Sequence, residues 1–184
     1  MVWRLLAVLG LLTGSVVAVS CSPSSFLALA PKIVGNDSNK DGDPFTETRD
    51  VDTLRTEMID AINSERADRN LPLLVASPSL HGIAQAHSTD MVTNNFLTHT
   101  GSDKSTPQDR VKRALGDWSY LSENIAAGYS TIQRAVDAFM ASQDNRNNLL
   151  AKEPTQIGVG IAFSDDTPQY KNAAYITVLF YAPR

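Results

Sequence analysis

From residue 52 onward, apolar residues recur with a period near that of an α-helix. Leu54, Met58, Ala61 and Ile62 share one face, which predicts a helix from about Asp52 to Arg69, with Glu65 and Arg69 spaced for an i,i+4 ion pair. Asn70 and Pro72 stop it, since proline has no amide hydrogen to continue the ladder. Residues 71–76 read as an extended connector. A second helix is predicted from Ser77 as cap and Pro78 at the first helical position, with Leu80, Ile83, Ala84, His87 and Met91 on one face and Asn94-Asn95 at its end. A short third helix runs from Thr106-Pro107 to near Gly116, turning Val111, Ala114 and Leu115 inward. The run Ser130-Thr131-Ile132-Gln133 has a capping-box pattern and opens a fourth helix that buries Ile132, Val136, Phe139 and Met140. Asn145, Asn147 and Asn148 break it up.

The period then changes to two. Ile157, Val159, Ile161 and Phe163 alternate with Gly158, Gly160 and Ala162, a loop of Ser164-Asp165-Asp166-Thr167-Pro168 follows, and Ala173 to Tyr181 forms a second strand. This is a β-hairpin. Its Gly-Gly-Ala face has no bulk of its own, so another element must lie close against it. About four helices followed by a terminal hairpin predict the α+β class, with helices packed on a small antiparallel sheet.

The chain has 184 residues, 42% hydrophobic and 20% charged, enough for one globular domain with a substantial core. The formal net charge is −4 and the basic residues are scattered, which argues against nucleic acid or any other polyanion as partner. At the N-terminus Arg4 precedes an apolar run from Leu5 to Val19. A run of about 15 residues is shorter than the ~20 a membrane-spanning helix needs, so residues 1–20 read as a cleaved signal peptide and the chain as exported. Cys21 is the only cysteine, in Ala18-Val19-Ser20-Cys21, and has no internal disulfide partner. One reading is an incidental residue beside an ordinary cleavage site. The other is a resemblance to a bacterial lipobox, in which Cys21 is lipidated and holds the protein in the cell envelope at a membrane; without lipidation it is secreted or periplasmic. Residues 21–50, opening with Ser22-Pro23-Ser24-Ser25, suit a tether. Within them Asp37 to Asp43 alternates acidic and amide groups before Gly42, like the start of a calcium loop, but position 12 falls on Thr48 and a solvated linker is the preferred reading.

Candidate chemistry lies in two segments. Phe96-Leu97-Thr98-His99 places an imidazole just after a helix, and Ser122-Glu123-Asn124-Ile125-Ala126 places a carboxylate in what reads as an irregular stretch. The two side chains are natural hydrogen-bond or co-ligand partners, either lining a shared cleft or pinning two loops together as a buried pair. His81 and His87 are six apart, roughly 120° round a helix, and cannot chelate one metal together. His87 reads first as a hydrogen-bonded core histidine and second as a cleft residue.

Five stretches in order carry a resemblance: Ala86-His87-Ser88-Thr89-Asp90-Met91, Phe96-Leu97-Thr98-His99, Pro107-x-Asp109-Arg110, Ser122-Glu123-Asn124-Ile125-Ala126-Ala127-Gly128 and Ile157-Gly158-Val159-Gly160-Ile161. Together they resemble the SCP/CAP domain of cysteine-rich secretory proteins, antigen 5 and pathogenesis-related class 1 proteins, in its compact bacterial branch, over residues 51–184. The resemblance implies an α-β-α sandwich with a central cleft where two histidines and two acids hold a divalent cation, often zinc. His99 matches the first histidine and Glu123 the first acid. Tyr175 stands where the last family histidine aligns, and Asp144-Asn145-Arg146 stands where a Gly-His-Arg is usual. The expected site is therefore His99, Glu123, Asn124, Asn145, Tyr175 and His87, with at most weak metal binding through His99 and Glu123 and no certain cofactor.

For function the resemblance implies a non-enzymatic binding module for a lipid, glycan or partner protein. A peptidase-like hydrolase using His99 as base and Glu123 to orient it is the alternative. It lacks an evident nucleophile, because no Gly-x-Ser-x-Gly, His-Glu-x-x-His or cysteine–histidine pattern is present. A purely structural envelope protein is a third reading.

Overall fold

The computed structural model describes residues 50–164 and 174–184. The predicted signal peptide, Cys21, nearly all of the expected tether, the calcium-like run and most of the predicted hairpin loop lie outside these residues.

Helix α1 spans Val51–Ala67, capped by Asp50, whose carboxylate accepts from the amides of Asp52 and Thr53. The strand β1, Val75–Ala76, lies within the expected connector and pairs in parallel with β3, Gln156–Phe163. Helix α2, Pro78–Thr93, begins at Ser77, although that side chain makes no capping bond. Helix α3, Pro107–Leu115, has a full capping box between Thr106 and Asp109. Helix α4, Ile132–Ala141, starts one residue later than the sequence pattern suggests, with Thr131 rather than Ser130 accepting the Arg134 amide. Asn145, Asn147 and Asn148 do not simply disrupt that helix. They belong to a separate helix, α5, Gln143–Leu149.

The largest correction concerns residues 118–129. The irregular stretch is a strand, β2, Trp118–Tyr129, paired antiparallel with β4, Ala174–Pro183. Its register is irregular only near its ends, and Gly128 sits at φ 82° where the pairing shifts between Ala127 and Tyr129. The sheet order is β1-β3-β4-β2, so the sheet is mixed rather than wholly antiparallel.

Alternation along β3 and β4 separates the two faces. Ile157, Val159, Ile161, Ile176, Val178 and Phe180 enter one core with α1, α4 and α5. On the other face Leu179 and Tyr181 pack with Leu80 and Ala84 of α2. Helices thus cover both faces of the sheet, and the fold is α+β. The small-residue face of β3 meets α2, as expected. A Cβ built on Gly158 would lie 2.3 Å from Leu80 Cβ, and one on Gly160 would lie 2.2 Å from the Ala84 carbonyl carbon. Glycine at both places lets a helix backbone lie directly on a strand.

Candidate functional site

Residues paired across neighbouring strands share a face. Glu123 is opposite Leu179 and so faces α2 and α3, whereas Asn124 is opposite Val178 and faces the α1/α4/α5 core. This explains why a carboxylate and an amide stand side by side in a buried strand: each meets a different polar partner on its own side.

Two segments converge on the Glu123 side chain. The chain leaves α2 through Asn95, which adopts φ 51°, a left-handed conformation asparagine tolerates. Phe96 and Leu97 then anchor against Met91, Ile125, Ala127 and Tyr175. His87 donates from Nε2 to the Thr98 carbonyl at 2.9 Å, holding the next residue's backbone from beneath. His99 thereby comes to Glu123, with its Nδ1 2.8 Å from Oε1. From α3, Arg110 donates through Nη2 to Glu123 Oε2 at 2.8 Å. Its Nη1 donates at 3.0 Å to both the His99 and Ser105 carbonyls, bracketing the loop that carries the histidine. The Glu123 side chain is only 2% exposed, that of Arg110 10% and that of His99 20%. A carboxylate so deeply buried is stable only when paired and hydrogen-bonded, and both oxygens are engaged here.

The sequence profile of the cysteine-rich secretory protein (CAP) family matches residues 59–181. The chain belongs to the CAP family. Its CAP domain is similar to YkwD of Bacillus subtilis (strain 168), with 32% identity over 110 residues, 60% of this chain and 43% of that protein. It is also similar to an extracellular SCP-domain protein from Bacillus anthracis str. Ames, at 29% identity and a TM-score of 0.62 over 72% of this chain and 41% of that one. An outer surface protein from Borrelia burgdorferi shares the fold, at 22% identity and a TM-score of 0.60 over 70% of this chain and 92% of that one. The chain thus spans less than half the length of YkwD and of the Bacillus anthracis protein.

The residues of this CAP domain do not fit the divalent cation that the family implies. Among the described residues no group of three or more His, Cys, Asp or Glu side chains is placed to hold a metal. Glu123, the expected acidic ligand, already receives a guanidinium, so a cation of the protein's own occupies that side of the carboxylate. Tyr175, at the position expected of a histidine, is 1% exposed within the apolar cluster beneath Phe96 and is a wall of the core. Isothermal titration with zinc should accordingly show no sub-micromolar binding.

The six expected site residues divide by face. His99 and Glu123 are bonded to each other, while His87 and Tyr175 support their loop from below. Asn124 turns the other way, donating to the Asn145 carbonyl at 3.0 Å and accepting from Asn148 at 2.9 Å. Asn124 and Asn145 therefore join β2 to α5 and do not share the Glu123 face. His87 is buried, and burial pushes its ring below the ordinary histidine range against the pull of Glu123.

Sequence reasoning places Arg110 within a motif but gives it no role. The available signal was electrostatic: a glutamate followed by the apolar run Ile125-Ala126-Ala127 requires a cation once buried, and Arg110 follows a helix start that places it one turn in. His81 and Gln85 likewise carry structural roles that the sequence pattern does not announce. His81 Nδ1 accepts the Val159 amide at 2.9 Å, and Gln85 bonds both backbone groups of Ile161, covering the edge of β3 beyond the end of β1.

A groove of about 690 Å³ lies between α2, the loop after His99 and α3. Its lining includes His87 and Arg110 but none of His99, Glu123, Asn124, Asn145 or Tyr175.

Proposed function

We propose that this CAP domain is an exported, non-enzymatic binding module, carried at a membrane by lipidated Cys21, that holds a lipid, glycan or partner protein. The observation that carries the reading is the state of Glu123. In a histidine–carboxylate catalytic pair the carboxylate stabilises the imidazolium formed when the ring takes a proton. Here the charge of Glu123 is already matched by Arg110 at 2.8 Å, so that assistance is largely withdrawn, and the three residues fix a loop beside a groove. The relative from Bacillus anthracis is named as extracellular, and a second Bacillus subtilis relative, YlbC, as a membrane protein at 29% identity. Both names are in keeping with an envelope location.

The hydrolase reading draws on one observation, the 2.8 Å bond between His99 Nδ1 and Glu123, which orients the ring as a general base requires. Fluorogenic peptide and ester pools separate the two. Wild type, His99→Ala and Glu123→Ala should give indistinguishable background rates, and turnover lost in both variants would establish the enzyme. Acyl labelling of wild type and its absence in Cys21→Ser tests the anchor; labelling of neither removes it.

A further inference from the structure

Gly82 is in the interior of α2, where glycine weakens a helix relative to every other residue but proline. Gly158 and Gly160 have a packing reason, because α2 presses on them. Gly82 has none: a Cβ there would meet nothing within 4 Å. What lies over it is the groove between α2 and α3, which also borders Ala86 and Ala114. Small residues on both helices keep this space open.

Two buried polar atoms belong to residues lining that space. His87 is 1% exposed, and its Nδ1 has no hydrogen-bond partner among the described residues. The Arg110 side chain is nine-tenths buried, and its Nε likewise has no such partner. Their roles are opposite. Because Nε2 of His87 faces a carbonyl it carries the ring proton, so Nδ1 of the neutral ring accepts, whereas Arg110 Nε only donates. Both atoms are sealed from solvent at the base of the groove, and its open lining repeats the pattern, since exposed Asp103 accepts and exposed Arg113 donates; a fitting ligand must therefore both donate and accept. The lining of the groove carries no net charge to select an ion: Asp90 and Asp103 balance Arg110 and Arg113. Its remaining surface combines hydroxyl and carboxylate groups with the apolar side chains of Ile83 and Leu115.

We infer that the α2–α3 groove is a binding site for an uncharged, polyhydroxylated ligand, a segment of carbohydrate, held at its base by His87 and Arg110. Hydroxyls donate and accept through the same atom, and the carbon faces of a sugar ring cover apolar side chains. The volume lies within the range of small-ligand sites. This inference rests on the binding-module reading and names its ligand class.

The test is titration calorimetry of the full chain with tetramers of glucose and of N-acetylglucosamine, beside a blocked alanine tetrapeptide and inorganic phosphate. Gly82→Leu is the variant of choice, because it fills the groove while adding a better helix former, and its thermal midpoint should hold or rise. At least one sugar should bind wild type, and Gly82→Leu should weaken it roughly tenfold or more. No sugar binding, or binding indifferent to Gly82→Leu, overturns the inference. Peptide or phosphate binding that Gly82→Leu abolishes, without sugar binding, overturns the ligand class and leaves the binding module standing. Sugar that binds and is cleaved supports the groove and removes the non-enzymatic reading.

Discussion

Glu123 shows how a single buried charge organises its surroundings. The carboxylate is fully withdrawn from water, and Arg110 and His99 supply the hydrogen bonds that make this tolerable. Truncating Arg110 leaves that charge uncompensated, so Arg110→Met should destabilise the fold by about 3–5 kcal/mol in urea denaturation. Glu123→Gln combined with Arg110→Met should recover part of that loss, because no unpaired ion remains. A second residue-scale effect comes from His81 and His87, both pushed below the ordinary histidine value of 6.5, in each case chiefly by burial. A histidine with a lowered native pKa takes its proton more readily when unfolded. Stability should therefore be complete above pH 6.5 and fall as pH drops through that value toward the lower native values. Thermal midpoints across this range should show the decline, and replacing both histidines with glutamine should flatten it.

At the scale of elements, contact between α2 and β3 fixes how closely the helix lies on the sheet. Helix and strand approach so closely that a side chain on Gly160 would collide with backbone, which cannot move aside as a flexible side chain can. Gly160→Ala should cost at least the ~1–3 kcal/mol typical of overpacking, measured as a lower denaturation midpoint. This contact was legible in the sequence, since a strand face of Gly, Gly and Ala demands a close neighbour. The strand β2 was not legible. Strand prediction relies on one apolar and one solvated face, and β2 has polar residues on both, each satisfied by a distant element. Glu123 finds α3 and Asn124 finds α5, so the alternation that identifies most strands is masked. The asparagines of α5 misled for a related reason: poor helix propensity is offset by bonds to β2, made by the Asn148 side chain and the Asn145 carbonyl.

Across the whole molecule, Arg66 ties together segments far apart in sequence. It is fully buried and donates to the carbonyls of Pro72, Leu149 and Ala151, joining the end of α1, the following connector and the end of α5. Burial lowers its pKa, yet the carbonyls hold it in place. Arg66→Met, of similar length, strands those acceptors and should lower stability by at least ~2 kcal/mol, read as a shift in urea midpoint without change in slope. The amino-acid sequence by itself determined helices α1 to α4, the terminal hairpin, the close packing on its glycine face and the family, because these follow from periodicity and short motifs within single segments. Only the tertiary structure decided that β2 is a strand, that Arg110 is the partner of Glu123, that Asn124 faces away from it, and that a groove opens beside His87. Each of these depends on which remote group compensates a buried polar atom, and no local pattern records that pairing.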